Sequence, residues 1–159
     1  MDIYSEQLEK KTPTTADGMK KIAILIGGSF IALALLVLSF IYNVMILFAF
    51  ALAVFGIYWF LSGTSIEYEY IVTNGCLDID KIIAQRKRVN LLSVDVKEFT
   101  EFEVYDMQQH DGTTIYAVGG ECQTMCAKFS NNQFENAMLL FSTDKKTLES
   151  MKPYLRLKK

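Results

Sequence analysis

The sequence predicts an α+β membrane protein, in which a two-helix transmembrane hairpin is followed by a soluble domain of about seven short strands and a C-terminal helix. Three observations support this fold class. Residues 22–62 carry no charge, apolar and polar residues alternate after residue 63, and the chain ends in an amphipathic segment. We therefore expect an N-terminal segment over residues 1–21, a hairpin over 22–62 and a soluble domain over 63–159.

The uncharged stretch is too long for one membrane span. A single helix of about forty residues would extend roughly 60 Å, which is about twice the hydrocarbon thickness of a bilayer. The chain is expected to turn once at Tyr42-Asn43, because asparagine tolerates left-handed backbone angles and tyrosine is common at membrane interfaces. The two predicted spans then cover about residues 22–41 and 44–62.

Small residues are expected to meet along one seam of this hairpin. Positions whose numbers sum to about 85 face each other, which places Gly28 near Gly56 and Ala32 near Ala53. The seam serves either a simple anchor or an interface with another membrane protein, and both interpretations stay open. A belt of aromatic residues at the membrane interface is predicted from Tyr42, Tyr58, Trp59 and Phe60.

Four lysines precede the first span, namely Lys10, Lys11, Lys20 and Lys21, whereas no lysine or arginine lies between the spans. The positive-inside rule therefore places both termini in the cytoplasm. A cleaved signal peptide is disfavoured, because the apolar run is too long for one and continues directly into a second run. Residues 3–8 are expected to form two turns of amphipathic helix or a frayed tail, and residues 14–18 a linker.

The soluble domain begins with a strand in which Ile66, Tyr68, Tyr70 and Val72 face one side and two glutamates, Glu67 and Glu69, face the other. The following Thr73-Asn74-Gly75 indicates a type I′ hairpin turn. Further strands are predicted over residues 77–84, 89–92, 94–102, 114–118, 122–129 and 136–141. A helix over residues 144–155 places Leu148, Met151 and Leu155 on one face, which is expected to cover a sheet.

This arrangement resembles the bacterial pleckstrin-homology-like (PH-like) membrane proteins. The resemblance lies in residues 66–75, which read IEYEYIVTNG, in residues 77–82, in Arg86-Lys87-Arg88 and in the tail over residues 145–154. The tail is similar to that of a group of small uncharacterised proteins from clostridia-like bacteria. The resemblance implies a PH-like antiparallel barrel or sandwich capped by a helix, in a bacterial cell membrane, and it brings no catalytic motif.

Two clusters of polar residues are candidates for a binding or catalytic site. The densest basic patch consists of Lys81, Arg86, Lys87 and Arg88, which could meet anionic lipid headgroups or simply form a solvated strand end. The loop over residues 105–112 contains Asp106, His110 and Asp111, but a polar loop explains these residues without catalysis.

The three cysteines, Cys76, Cys122 and Cys126, are expected to be free thiols. On a strand, Cys122 and Cys126 would lie roughly 13 Å apart, which is too far for a disulfide. Together with His110 they match a zinc set by count, but the Cys-x3-Cys spacing does not suit one, so no metal or cofactor is expected. No phosphate-binding loop or hydrolase motif is present in the sequence, and we expect no enzyme.

The expected function is that of a membrane-anchored, non-enzymatic scaffold or accessory subunit whose cytoplasmic domain binds a protein partner. The alternatives are a module that binds anionic membrane lipids through the basic patch, and a small subunit of a secretion, conjugation or transport complex. A homo-oligomer is a further alternative. A net charge of −2 argues against a nucleic-acid partner, since nucleic-acid binders are strongly basic.

Overall fold

The computed structural model describes residues 3–106, 111–120, 122–131 and 133–155. The chain forms two compact units. The β unit combines Met1–Thr12 with Ile66–Lys159, and the helical unit is Pro13–Ser65. The elements are β1 (Tyr4–Lys10), α1 (Thr15–Ile41), α2 (Ile46–Gly63), β2 (Ile66–Thr73), β3 (Cys76–Ile83), β4 (Lys87–Asp95), β5 (Phe99–Val104), β6 (Thr113–Ala117), β7 (Gln123–Phe129), β8 (Ala137–Thr143) and α3 (Lys145–Met151).

The helical unit consists of two helices that are long and apolar enough to cross a membrane. At 27 and 18 residues, they extend about 40 and 27 Å. The chain turns at the predicted place, and the Asn43 side chain accepts a hydrogen bond from Met45 N at 2.8 Å. The first helix begins earlier than expected, so the linker predicted over residues 14–18 is wrong. Thr14 N donates to Asp17 Oδ2 at 3.2 Å, which caps the first turn.

The first sheet has the order β1-β2-β3-β4, and all its pairs are antiparallel. Its outermost strand, β1, corresponds to the residues for which a helix or a frayed tail was predicted, and that prediction is wrong. Seven residues of β1 pair in register with β2, from Tyr4 opposite Thr73 to Lys10 opposite Glu67. Buried and exposed residues alternate along β1 with the period of a strand, and the edge of β2 provides its hydrogen-bonding partners.

The second sheet has the order β5-β7-β8-β6. The strands were expected to be antiparallel throughout, and this prediction is wrong for one pair, since β6 runs parallel to β8. Two predicted strands over residues 89–102 are also redivided. The chain continues as β4 to Asp95, turns through a short 3-10 helix at Val96–Glu98 that the Asp95 side chain caps, and then enters β5. With β1, the described residues contain eight strands in two sheets, and these do not close into a barrel.

The core of the β unit lies between the sheets and beneath α3. Its largest buried side chains include Tyr70, Phe99, Phe129 and Phe141, whose rings pack against aromatic neighbours about 6 Å away. As predicted, α3 covers the sheets with its apolar face, and Met151 is fully buried. The predicted turn at Asn74-Gly75 is confirmed, since both residues have positive φ angles of 50° and 90°.

Candidate functional site

The helical unit is inserted between two strands that are hydrogen-bonded neighbours. The chain leaves the β unit after β1 and returns at the start of β2, where Lys11 N donates to Ile66 O at 2.9 Å. Across the same end of the first sheet, Ile66 lies opposite Ile83 and Ile83 opposite Lys87. We call this end, defined by Lys11, Ile66, Ile83 and Lys87, the root end.

The predicted basic patch lies at the root end, but its members point in different directions. Lys81 and Lys87 occupy the core-facing register of the β3–β4 hairpin, opposite Val89 and Ile83. Arg86 lies in the turn, where its Nε donates to Ala84 O at 3.4 Å. Arg88 occupies the outer face instead, and the four residues therefore do not form one continuous patch.

Arg88 is held by acidic side chains of the neighbouring strands. Its Nη2 lies 2.7 Å from Glu69 Oε2, and its Nε lies 3.8 Å from Asp80 Oδ2. The Glu69 side chain is only 8% exposed, so this carboxylate depends on Arg88 for its compensating charge. Glu67, which was expected on an open polar face, is also buried and accepts a hydrogen bond from Gln85 Nε2 at 3.3 Å. Arg88 is therefore a structural residue of the sheet.

We predict that Arg88→Ala lowers the free energy of unfolding by about 1–2 kcal/mol, because it leaves the Glu69 carboxylate without its partner. The loss is not larger because the arginine side chain is exposed and its ion pair is screened by water. Lys87→Ala is the matched control, since this exposed neighbour occupies the other face, and it should change stability by less than about 0.5 kcal/mol. Urea unfolding of the full chain in detergent, followed by tyrosine near-ultraviolet circular dichroism, measures both. Equal effects would contradict the assignment.

Two further lysines, which the sequence associates only with membrane topology, lie at the root end. Lys10 is the last residue of β1 and lies opposite Glu67, and Lys11 follows it. The sequence offered no signal for this neighbourhood, because about seventy residues separate these lysines from the β3–β4 turn. With Lys81, Arg86 and Lys87, they give the root end five basic side chains in addition to Arg88.

A buried polar cluster lies behind β1 and was not predicted. Ser5, Gln7 and Glu9 all face the core side of the first sheet and are at most 9% exposed. Ser5 Oγ lies 3.2 Å from Thr147 Oγ1 of α3, and Gln7 Oε1 accepts a hydrogen bond from Asp144 N at 2.9 Å. Gln7 Nε2 donates to Glu9 Oε1 at 3.3 Å and to Cys122 Sγ at 3.6 Å.

The segment after β6 closes this cluster from the other side. Gly120 N donates to Lys10 O at 3.2 Å, and a side chain at Gly119 would lie 2.7 Å from Glu9 Cβ. Tyr70 reaches the same region, where its hydroxyl donates to Ala117 O and accepts from Ser142 N at 3.4 Å. Burial raises the pKa of the Tyr70 hydroxyl well above its usual value, so this group remains a neutral hydrogen-bond donor.

The three cysteines are free thiols, and burial raises the pKa of both Cys76 and Cys126. Within the described parts of the chain, no three histidine, cysteine, aspartate or glutamate side chains come together as metal ligands. His110 of the candidate polar loop falls outside the described residues. The prediction about that loop therefore remains a prediction.

The residues of the predicted seam have different environments in the helical unit. Gly28 packs against α2, and a side chain there would lie 2.5 Å from Ile57 Cγ1. Ala32 is buried, whereas Ala53 and Gly56 line an apolar groove of about 460 Å³ together with Phe60 and Gly28. The residues of the predicted aromatic belt, Tyr42, Tyr58, Trp59 and Phe60, all expose more than half of their surface.

The comparison with known families identifies the chain. The model of a bacterial PH-like domain family, DUF6106, matches residues 1–158. No curated protein and no solved structure matches the chain. The matched range includes β1 and the two apolar helices as well as the strands that follow them, in agreement with the pairing of β1 and β2. The chain belongs to the bacterial PH-like domain family DUF6106.

Proposed function

We propose that this protein is a non-enzymatic scaffold of the bacterial cell membrane, anchored by two spans, whose PH-like domain binds a protein partner at the membrane surface. One observation carries the proposal. The two apolar helices are an insertion between β1 and β2, which pair with each other, so the PH-like domain is connected to its anchor through two adjacent strands. Both connections leave the PH-like domain at the root end of its first sheet.

The same pairing supports a topology in which both termini lie on one side of the membrane. The strand before the hairpin and the strand after it belong to one sheet, and a sheet cannot form across a bilayer. Four lysines precede the uncharged stretch, with Lys10 and Lys11 before α1 and Lys20 and Lys21 near its N-terminus, and they favour the cytoplasmic side.

A protein partner is favoured by the outer strands of the second sheet. In the part of the chain that the structure describes, β5 and β6 each pair with one strand only. Each also exposes a large apolar side chain, since Val104 is 50% and Tyr116 is 65% exposed. Outer strands with exposed aromatic and apolar residues are surfaces to which proteins bind, through backbone hydrogen bonds and side-chain contacts.

The test is affinity purification of the tagged full-length chain from its native membrane in mild detergent, with mass spectrometry of proteins and lipids. We expect a stoichiometric partner protein that no longer co-purifies when Tyr116→Ser or Val104→Ser is introduced. Leu8→Ser, at a similarly exposed position on the other sheet, should not affect its recovery. The identity of that protein also distinguishes a scaffold from a subunit of a secretion, conjugation or transport complex. Recovery of the chain alone, or only of further copies of itself, would contradict the proposal.

A second candidate function is the binding of anionic lipid headgroups at the root end. The observation that favours it is the five basic side chains at the end from which the hairpin leaves, since each basic residue near an anionic surface contributes about 1 kcal/mol. In this case, anionic lipids are enriched in the same purification. The double change Lys81→Gln and Lys87→Gln should reduce that enrichment, whereas Lys97→Gln, beside Asp95 at the opposite end of the sheet, should not.

A further inference from the structure

We propose that β1 is a releasable strap, which detaches from the side of β2 while the rest of the β unit remains folded. The proposal does not depend on the proposed function. It follows from how β1 is held, because no apolar side chain of this strand enters the core. Its core-facing residues are Ser5, Gln7 and Glu9, whereas the core-facing residues opposite them on β2 are Val72, Tyr70 and Tyr68.

The apolar side chains of β1 point the other way. Tyr4 and Leu8 lie on the outer face of the sheet and are more than half exposed. Detachment of β1 therefore exposes little additional apolar surface of the strand itself, and its own side chains contribute little hydrophobic stabilisation to keep it in place. In this respect β1 differs from β7 and β8, which contribute Phe129 and Phe141 to the centre of the core.

Hydrogen bonds hold β1 instead, and water can replace them. The strand is held by its backbone pairing with β2, by Ser5 with Thr147, by Gln7 with Asp144 N, and by Lys10 O with Gly120 N. Such bonds contribute only modestly to stability, since the same groups bond to water when the strand is released. Segments with few buried apolar contacts open at a lower free energy than the whole domain.

Release of the strap has a local consequence. It leaves the outer edge of β2 unpaired along the length of β1, beside Gly119 and the start of α3. Only Thr12, Pro13 and Thr14 separate Lys11 from the first residue of α1.

Amide hydrogen exchange of the full-length chain in lipid nanodiscs, resolved to single residues, tests the proposal. Alternate β2 amides bond to β1 and to β3, so release predicts two classes within one strand. The β2 amides bonded to β1 should exchange at least about tenfold faster than the β2 amides bonded to β3. They should exchange at the same rate as the amides of β1. Uniform protection along β2, at the level of β7 and β8, would overturn the proposal.

A pair of substitutions tests the cause. Ser5→Val combined with Thr147→Val replaces a buried hydrogen bond between two hydroxyl groups by a contact between two apolar side chains, which gives β1 the buried apolar anchor that it lacks. The double variant should slow the exchange of β1 by about tenfold and leave β7 unchanged. Leu8→Ser, on the exposed face of the same strand, should leave the exchange of β1 unchanged. If the double variant exchanges at the wild-type rate in β1, polar anchoring does not control release and the proposal fails.

Discussion

Replacement of Phe141 by alanine is expected to lower the free energy of unfolding of the β unit by about 3–5 kcal/mol. The Phe141 side chain is fully buried on β8, and its ring lies 6.0 Å from that of Tyr70 and 6.3 Å from that of Phe102. These neighbours belong to β2 and β5, so the side chain joins the two sheets. Alanine would leave a cavity where both sheets meet, and rigid strands on either side limit its collapse.

Urea unfolding of the full chain in detergent, followed by tyrosine near-ultraviolet circular dichroism, measures this loss. The only tryptophan, Trp59, lies on α2 and does not report on the β unit. Tyr116→Ala is the control, because this aromatic side chain is 65% exposed on the same sheet, and it should change stability by less than about 0.5 kcal/mol. A change of less than about 1 kcal/mol in Phe141→Ala would contradict the packing described here.

Gly75→Ala is expected to have the second-largest effect, a loss of about 2–4 kcal/mol, which combines backbone strain with a steric clash. Gly75 has a φ angle of +90°, which L-residues rarely adopt, and an added Cβ would lie 2.6 Å from the Tyr154 ring. The residue is also fixed by its carbonyl, which accepts a hydrogen bond from Val96 N at 2.8 Å. The chain therefore has little freedom to relieve the strain.

The neighbouring Asn74 provides a matched control for this turn. Its φ angle of 50° suits glycine, so Asn74→Gly adds no strain. The substitution removes the hydrogen bond that the Asn74 side chain accepts from Ile3 N at 3.1 Å. We expect a loss of about 1 kcal/mol or less. Thermal unfolding of the Gly75→Ala and Asn74→Gly variants in the same detergent measures the difference in stability between them. A midpoint for Gly75→Ala equal to that of Asn74→Gly would show that the turn and Tyr154 adapt freely.

Local patterns in the sequence were sufficient for much of the fold. The uncharged stretch with its single asparagine predicted two apolar helices and their turn, and Asn74-Gly75 predicted the β2–β3 turn. The spacing of Leu148 and Met151 predicted the face of α3 that covers the core. Each of these features depends on residues close together in the chain, where periodicity and turn chemistry act directly.

The candidate site could not be predicted in the same way, because its partners are distant in sequence. Burial alternates along β1 as in a strand, but every inward residue is polar, and the apolar Tyr4 and Leu8 face outward. A half-buried strand usually places its apolar residues inward. Only the pairing with β2 and the contacts with Thr147 and Asp144 explain it. Likewise, the role of Arg88 depends on Glu69 of another strand, so a basic run alone suggested a lipid site.

Because the two apolar helices are inserted between paired strands, we expect both termini to lie on one side of the membrane. The most direct measurement is protease accessibility of epitope tags at the two termini, in spheroplasts and in inverted membrane vesicles. A cysteine introduced by Asn43→Cys between the helices, treated with a membrane-impermeant maleimide, reports on the opposite side. We expect both tags to be digested only in inverted vesicles and the introduced cysteine to be labelled from outside. Tags on opposite sides of the membrane would contradict the pairing of β1 with β2 and the account built on it.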